Sequence, residues 1–500
     1  MGEMMNQRRQ FLVRGLGLAA LGACAAPALA DSETSRRFHR ALERNPRLSV
    51  YADTSAELAG MAAVWGGMPP DLNGVFYRNG PGRMELGGER YHHWFDGDGF
   101  AQRWQIGGGK VSHRGRFVLT RKFEEESKAG RFLYPTFGTS IERRAVKNND
   151  SVNVANTNLL PFNGAVYALW EGGSAVELDP ETLATRGVKT WRADLKAMPF
   201  SAHPKVDPDG GLWNFGNPPG GDRLVIYRLN AVGEVTRTAV VPVPRLNMVH
   251  DFVVSGRHLI FLVPPYAMRP DTGLSLAERM RWDGGARPLR AVVIDKNTLE
   301  LRQVFELPAR SVFHLGNAFE DGACTRLDAV LHEGDVLPDP ALPMRGDMRE
   351  YREGRSATVQ ITLDYASGQA REARLFGVSE FPRVAPRVVA ARHRRLAVLG
   401  ADGVGKDLIL NTVNLIDTDS GKADSYAFGA GWQVEEHVLV PRRGARSETD
   451  GYLVGVAQDT RRGLTVLTVF DAHNIKAGPR ALARLSYRAP VCFHGNFLAT

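Results

Sequence analysis

One short pattern recurs along this 500-residue chain: an apolar strand that ends in Asp or Asn, then a polar turn, then a second strand. Six clear copies end at Asp179, Asn230, Asp295, Asp364, Asp417 and Asp471, and a weaker copy ends at Ile106 before three glycines. The copies are on average about 61 residues apart, somewhat more than the 40 to 50 residues of a propeller blade with short loops. Asp turns also occur in ordinary hairpins, but seven copies predict an all-β fold, a seven-bladed β-propeller with four strands in each blade.

The composition agrees with a many-stranded fold. The 53 glycines and 28 prolines supply residues for turns, and 43% apolar residues are enough for a large buried core. This balance excludes a disordered chain, a collagen-like repeat and a polytopic membrane protein. We expect residues near Gly74 to Arg78 to supply the strand that closes the ring with the last blade, because closure removes exposed sheet edges. The only helical pattern is a short one from Ser275 to Trp282.

The first thirty residues have the features of a twin-arginine export signal. Arg8 and Arg9 precede an apolar run from Leu16 to Ala26 that is too short to span a membrane, and Ala28-Leu29-Ala30 offers small residues for cleavage. We therefore expect a periplasmic or secreted protein in which residues 31–500 form a single propeller domain. The sequence before Cys24 also resembles a lipobox, so a lipid anchor on Cys24 is the alternative.

Charge and cysteine content narrow the range of partners. Residues 1–30 carry three arginines and one glutamate, so their removal lowers the net charge from +8 to +6. This excess is spread along the chain, without the basic and aromatic clusters of a nucleic-acid groove, which argues against nucleic acid and leaves contact with an anionic membrane surface open. Only Cys324 and Cys492 follow the signal, too few for a disulfide framework or a Cys-based metal site, although the two could pair with each other.

Four histidines lie at nearly the same position relative to the recurring turn. His203, His250, His314 and His494 each follow a turn residue by about 19 to 24 positions. In a propeller, the strand after the outer strand of one blade is the innermost strand of the next, so these side chains are expected to converge on the central axis. A single histidine on an apolar strand is usually a hydrogen-bonded core residue. Four at one position of the repeat predict a metal site.

The ligand set does not choose the metal. Four neutral imidazoles without cysteine or carboxylate ligands suit Fe(II), Cu, Zn and Ni alike. Metal-bound histidines usually donate their second ring N–H to a carboxylate. Glu380 and Glu436 lie on the expected inner strands of two repeats that lack one of the four histidines, and Glu171 follows another strand. These three are candidates for the outer carboxylates, although most glutamates are simply exposed.

Longer motifs resemble those of the carotenoid cleavage oxygenases, a family that includes apocarotenoid-cleaving and stilbene-cleaving dioxygenases and the vertebrate retinoid isomerase. The resemblance covers nearly the whole chain after residue 30. It rests on seven motifs, which are Tyr77-Arg78-Asn79-Gly80-Pro81, Trp94-Phe95-Asp96-Gly97-Asp98-Gly99, Ala202-His203-Pro204-Lys205-Val206-Asp207, Val249-His250-Asp251-Phe252, Phe313-His314-Leu315-Gly316-Asn317-Ala318-Phe319-Glu320, Glu380-Phe381-Pro382-Arg383 and Phe493-His494-Gly495.

The resemblance implies a seven-bladed propeller with a helical and loop cap over the central axis and one non-haem Fe(2+) ion on that axis. It implies four iron ligands, the same ones that the repeat selects: His203, His250, His314 and His494. It further implies that Glu171, Glu380 and Glu436 hydrogen-bond to the ligands and that Thr157 stands beside the iron. The implied reaction is cleavage of a conjugated C=C bond of a carotenoid or apocarotenoid by O2, giving two carbonyl products.

Two alternatives remain open from the sequence. Stilbene-cleaving relatives use a lysine to contact the phenolic hydroxyl of the substrate, and Lys122 resembles that lysine. The tyrosine that accompanies it has no clear match before the Trp94-Phe95-Asp96 segment, so Lys122 could instead be a solvated surface charge. A non-catalytic propeller that binds a metal or a polyene is the alternative outside enzymes.

Overall fold

The recurring Asp or Asn begins an Asx turn, in which its side-chain oxygen accepts hydrogen bonds from backbone N–H groups a few residues further on. Oδ1 of Asp295, for example, accepts from the N–H groups of Asn297 and Thr298 at 2.7 and 3.0 Å. The same arrangement is present at Asp179, Asn230, Asp364, Asp417 and Asp471. Each of these turns joins the third and fourth strands of one sheet, so the sequence repeat marks one blade.

The computed structural model describes residues 32–54, 57–218, 221–270, 273–348, 355–402 and 410–500. Seven antiparallel sheets of four or five strands form the seven blades of a propeller, which confirms the predicted fold. Consecutive innermost strands contact one another from blade 4 through blade 7 to blades 1 and 2. The predicted export signal, with Cys24, lies outside the described residues.

The strands of the blades are given from blade 1 to blade 7. The innermost strands are His494–Ala499, Asn158–Phe162, Lys205–Val206, Phe252–Val254, Ser311–Asp321, Ser379–Arg383 and Trp432–Pro441. The second strands are Gly74–Arg83, Ala165–Leu169, Leu212–Gly216, His258–Val263, Cys324–His332, Arg395–Gly400 and Gly451–Asp459. The third strands are Asp98–Gly107, Val176–Leu178, Arg223–Leu229, Leu289–Asp295, Ser356–Asp364, Thr412–Asp417 and Leu464–Asp471. The fourth strands are Lys110–Phe117, Thr185–Val188, Val235–Pro242, Leu301–Leu307, Gln369–Phe376, Ala423–Ala427 and Ala481–Arg484.

Residues from both ends of the described chain close the ring. His494–Ala499 is the innermost strand of blade 1 and pairs with Gly74–Arg83. Glu57–Met61 and Ala63–Gly66 add a fifth, outermost strand to blades 1 and 7, respectively. The predicted closing strand at Gly74 to Arg78 therefore belongs to blade 1 itself. The chain passes from blade 1 to blade 7 at Ala62, between the two added strands.

Among the described residues, three α-helices lie outside the sheets: α1 (Glu33–Arg44), α2 (Arg121–Ala129) and α3 (Leu276–Arg279). Helix α3 falls within the predicted helical segment, but that segment ends as a short strand, Met280–Trp282. The sequence analysis did not predict α1 and α2. The apolar face of α1 is short and consists of Phe38, Ala41 and Leu42, which pack in a small core cluster. The residues of α2 that are buried, Lys122 and Glu126, are both charged.

The remaining elements are short. Two-stranded ribbons are formed by Glu85–Leu86 with Glu89–Arg90 and by Tyr266–Met268 with Met280–Trp282. The 3-10 helices are Pro46–Tyr51, Trp94–Asp96, Asn149–Val152, Ala193–Leu195, Asp339–Ala341, Pro343–Arg345, Pro386–Val388 and Ile475–Ala477.

The apolar core lies between adjacent blades. One cluster joins blades 7 and 1 through residues such as Val454 and Trp104, and another joins blades 4 and 5 through residues such as Val293 and Leu327. Cys324 and Cys492 are both free thiols, so they do not form the disulfide that the sequence left open. None of the helices among the described residues has both the length and the apolar character needed to cross a bilayer.

Candidate metal centre

Four histidines from four blades meet on the propeller axis. His494 is the first residue of the innermost strand of blade 1. His203 and His250 lie two residues before the innermost strands of blades 3 and 4, and His314 lies within that of blade 5. One ring nitrogen of each lies within 4.8 Å of the corresponding nitrogens of the other three. These are the four histidines that the sequence analysis selected from their position in the repeat.

One of the inward-facing ring nitrogens lacks the partner that a buried polar atom normally has. Nε2 of His314 is buried and has no hydrogen-bond partner among the described residues. Burial lowers the pKa of His203 well below its usual value, and burial lowers the pKa of His494 to about 4. Both imidazoles are therefore neutral at pH 7 and can act as metal ligands, which fits the chemistry of a divalent first-row metal.

The outer ring nitrogens of three of these histidines contact carboxylates. Nδ1 of His250 bonds to Glu171, Nδ1 of His314 to Oε2 of Glu380 at 2.6 Å, and Nδ1 of His494 to Oε1 of Glu436 at 3.0 Å. An Nδ1–H that is donated to a carboxylate leaves the Nε2 lone pair free for a metal. The three predicted glutamates thus face the histidines from behind.

Burial and the neighbouring charges act in opposite directions on these carboxylates. Burial raises the pKa of Glu380, but the charges and hydrogen bonds of His314 and His332 outweigh it and hold the pKa well below its usual value. Burial likewise raises the pKa of Glu436, and Arg383 and His494 together bring it below its usual value. Both groups are carboxylates at neutral pH and accept hydrogen bonds only.

His203 differs from the other three histidines. The nearest carboxylate oxygen to its Nδ1 is Oδ1 of Asp251, 3.9 Å away, which is too far for a hydrogen bond. Asp251 is held instead by Nζ of Lys205 at 2.8 Å and by the N–H of Leu315 at 2.9 Å.

Irregularities in the inner strands turn these side chains toward the axis. The pairing register shifts on both sides of Leu315, next to His314, and again between Glu380 and Arg383 and between Val434 and His437. Such bulges are frequent beside active sites because they change the direction of a side chain. Phe381 has a φ of 57°, in the left-handed region that non-glycine residues rarely adopt. Its N–H bonds to Oε2 of Glu380 at 3.0 Å, and its ring stacks on His314.

A large cavity opens onto the histidines. It has a volume of about 1240 Å³, and His250, His314 and His494 are part of its lining. Its wall near the histidines is aromatic and includes Trp94, Phe95, Phe137, Phe313 and Phe493. Loop and short helical segments between residues 135–154, 268–280 and 339–348 complete the wall and correspond to the predicted cap.

Thr157 lies at this cavity, and Lys122 does not. Thr157 precedes the innermost strand of blade 2, lines the cavity, and its hydroxyl donates to Oδ1 of Asn156 at 3.0 Å. No lysine is among the described residues that line the cavity.

Lys122 instead belongs to a buried charge cluster between α2 and blade 1. Its side chain is 0% exposed, and its Nζ lies 3.0 Å from Asp98, 2.8 Å from Glu126 and 2.5 Å from the hydroxyl of Tyr91. It is neither the substrate contact nor the solvated surface charge that the sequence left open. A buried ammonium is retained because two carboxylates surround it.

Sequence reasoning missed two residues behind the carboxylates. Nε2 of His332 lies 2.7 Å from Oε1 of Glu380, and Nη1 of Arg383 lies 3.1 Å from Oε1 of Glu436. His332 does not share the position of the four histidines in the repeat. Arg383 is the last residue of the Glu380-Phe381-Pro382-Arg383 motif, but the motif gave no indication that it contacts Glu436.

Comparison with known proteins agrees with this geometry. Residues 51–499 match the family described as RPE65, retinal pigment epithelial membrane protein. The chain is 29% identical over 461 residues to an apocarotenoid-15,15'-oxygenase of Synechocystis sp., a match that covers 87% of this chain and 92% of that protein. It is 27% identical over 460 residues to lignostilbene-alpha,beta-dioxygenase isozyme III of Sphingomonas paucimobilis, with coverage of 87% and 92%. The crystal structure of a cobalt-substituted Synechocystis apocarotenoid oxygenase is similar with a TM-score of 0.84 at 26% identity, covering 91% of this chain and 99% of that one.

Proposed function

The chain belongs to the RPE65 family of carotenoid cleavage oxygenases, and on this basis we propose that it is an iron(II) enzyme that cleaves a conjugated C=C bond of a carotenoid or apocarotenoid with O2. The observation that carries the proposal is the convergence of four imidazoles at one end of an aromatic cavity. Ferrous iron held by such ligands supplies the open coordination positions and the electrons with which O2 reacts.

The reaction balances without a further reductant. The C=C bond breaks, and each carbon receives one of the two oxygen atoms of a single O2 molecule, which gives two carbonyl products. The chain therefore needs no site for a nicotinamide or flavin cofactor. Its own residues have to orient the polyene, keep the site dry and hold the metal ligands in place.

The side chains around the cavity suit an apolar substrate. Phe95, Phe137, Phe313 and Phe493 line the cavity, and the rings of Phe95 and Phe313 lie 6.0 Å apart, edge to face. Such walls bind an extended apolar chain through buried area and exclude water from the reacting bond. Thr157 is the polar side chain that we propose to stand beside the iron.

Cleavage of a stilbene is the second candidate, because one relative is named as a lignostilbene dioxygenase. The structure gives it less support than the carotenoid reading. The lysine expected to contact a phenolic hydroxyl, Lys122, is occupied by Asp98, Glu126 and Tyr91, away from the cavity. A long apolar polyene needs no such cation.

The deciding experiment uses residues 31–500 loaded with Fe(II) under anaerobic conditions. The protein is exposed to ¹⁸O₂ with apocarotenoids and lignostilbenes in parallel, and products are identified by mass. We expect two carbonyl products from the polyene, each with one ¹⁸O atom. His314→Ala, which removes one ligand, is the matched control and should give none. Cleavage of the stilbenes alone contradicts the proposed substrate, and metal binding without any product supports the non-catalytic reading.

We also propose that the cavity mouth contacts an anionic membrane surface. Three apolar side chains that line the cavity are partly exposed: Val146 by 47%, Met268 by 36% and Leu276 by 41%. Arg279 also lines the cavity, and Arg144 lies two residues before Val146 in the chain. Apolar side chains next to arginines are suited to an anionic interface. Sedimentation with phosphatidylglycerol vesicles tests this, with Leu276→Glu expected to reduce binding and phosphatidylcholine vesicles as the control.

For residues 1–30 the proposal remains export by the twin-arginine route to the periplasm. The paired arginines and the weakly apolar run that follows support it.

A further inference from the structure

The three carboxylates behind the histidines are held in different ways. Among the described residues, the side chain of Glu171 forms a hydrogen bond with His250 alone, and it is 40% exposed. Glu436 is buried and accepts hydrogen bonds from Nη1 of Arg383 and from the N–H of Gly495, in addition to the one from His494. Glu380 is also held by a second side chain, but here that side chain is an imidazole.

Glu380 is clamped between two histidines of a neighbouring blade. Glu380 belongs to blade 6, and its Oε2 accepts from Nδ1 of His314, which belongs to blade 5. Its other oxygen, Oε1, lies 2.7 Å from Nε2 of His332, the last residue of the second strand of blade 5. Two side chains of blade 5 therefore bind one carboxylate of blade 6 from both sides.

The surroundings of His332 fix which ring nitrogen carries the proton. His332 is 1% exposed, and its Nδ1 is buried without a hydrogen-bond partner among the described residues. A carboxylate only accepts hydrogen bonds, so Nε2 of His332 is the donor toward Glu380. Phe313, which lines the cavity, packs edge-on against the ring at 6.4 Å and limits its movement.

We propose that His332 is a positioning residue for the metal centre. The hydrogen bond from His332 to Oε1 fixes the plane of the Glu380 carboxylate, so that Oε2 stays directed at Nδ1 of His314. This keeps the proton of His314 on Nδ1 and its Nε2 lone pair turned toward the metal. Without it, the buried carboxylate keeps donors on Oε2 alone, from His314 and the N–H of Phe381, and Oε1 can turn toward other donors, because a buried charge needs hydrogen bonds. This inference rests on the proposed metal site.

The test measures metal affinity and needs no substrate. Co²⁺ is the probe, because its visible absorption reports the arrangement of ligands around it. His332→Phe keeps an aromatic ring but removes the donor, and we expect it to bind Co²⁺ about 10-fold more weakly, at the lower end of the range for outer residues, with a changed spectrum. His332→Gln places an amide N–H near the same position and should stay within about 3-fold of the wild type. His258→Phe removes another fully buried histidine, whose Nδ1 faces Glu320 and Tyr365 and none of the three outer carboxylates, and should leave the Co²⁺ affinity and spectrum unchanged.

A double-mutant cycle separates positioning from packing. If His332 acts through Glu380, then His332→Phe has no further effect on Co²⁺ affinity in a Glu380→Gln background. Additive effects, equal losses in His332→Phe and His332→Gln, or wild-type affinity in His332→Phe each overturn the inference. If His332→Phe does not fold, His332→Met, which also lacks a donor, replaces it. A wild-type protein that binds no Co²⁺ overturns the metal site and this inference with it, whereas an intact site with no effect at His332 overturns the inference alone.

Discussion

The Nε2 atoms of His203 and His250 lie 2.9 Å apart. Two nitrogen atoms that are each about 2.1 Å from one ion, at right angles to each other, are about 3 Å apart. Burial first, and then the neighbouring histidines, lower the pKa of His203, so its ring is neutral at pH 7 and can offer a lone pair to a cation. The spacing is therefore that of two ligands of a common cation.

Removal of any one of the four histidines should release the metal. We expect the purified protein to hold close to one Fe per chain and each of His203→Ala, His250→Ala, His314→Ala and His494→Ala to bind it at least about 100-fold more weakly, more than the usual loss for an outer residue. Elemental analysis after dialysis measures this. Full iron content in any two of the four variants contradicts the four-histidine site.

The outer carboxylates should differ in their effect on stability. Glu171→Gln, Glu380→Gln and Glu436→Gln should each weaken Fe(II) binding by about 10- to 100-fold. Glu436→Gln should also lower the free energy of unfolding by about 2 kcal/mol, because Arg383 loses its charged acceptor. Glu171→Gln, at a partly exposed position, should not. Chemical denaturation of the metal-free proteins makes the comparison, and equal stability of the two variants would count against this account.

Lys122 should matter for folding and not for substrate binding. Lys122→Met leaves Asp98 and Glu126 with less compensating charge and should cost about 3 to 5 kcal/mol of unfolding free energy, without a change in KM. Arg121 is the residue before Lys122 and forms an exposed ion pair with Glu125, so Arg121→Ala should leave the unfolding free energy nearly unchanged. A raised KM in Lys122→Met with unchanged stability would restore the role in substrate binding that the sequence left open.

The contact between blades 5 and 6 should make stability depend on pH. Nε2 of His393 lies 2.7 Å from Oδ2 of Asp328; burial lowers the pKa of His393, but Asp328 outweighs this and raises it above 6.5. The folded state therefore binds a proton more tightly than the unfolded state. The stability that this pair contributes is fully present below pH 6.5 and is lost as the pH rises through the pKa of the folded state.

Asp328→Asn should remove this pH dependence. Urea denaturation at pH 6 and pH 9 should show a larger gap between wild type and variant at pH 6. An equal gap at both values would mean that the pair does not titrate as described.

Export should depend on the arginines themselves. Arg8→Lys combined with Arg9→Lys should leave the precursor in the cytoplasm, folded and active, because a route that threads unfolded chains accepts lysine and the twin-arginine route does not. Cell fractionation decides. Normal amounts of cleaved periplasmic protein that starts at Asp31 would show that export does not use this route.

The parts of the structure that the sequence predicted have local causes. An Asx turn needs only Asp295 and the next few residues, so its repeat is visible in the sequence, and His314 can be located by counting from it. The contact between His332 and Glu380 has no such cause, because it forms when blade 5 packs on blade 6. Helix α2 was missed for a related reason. Its buried face is made of Lys122 and Glu126. Charged residues are usually exposed, so the sequence alone does not show that these two are buried against partners of opposite charge.

The four histidines are synthesised in an order that links completion of the metal site to closure of the ring. His203, His250 and His314 are synthesised first, but His494 opens the strand that completes blade 1 and follows blades 6 and 7 in the chain. A nascent chain with six blades can offer only three imidazoles, and the fourth arrives together with the last strand of the ring. Tight metal binding thus reports that the ring has closed, so a cell that exports only the metal-bound form would also be selecting chains that are completely folded.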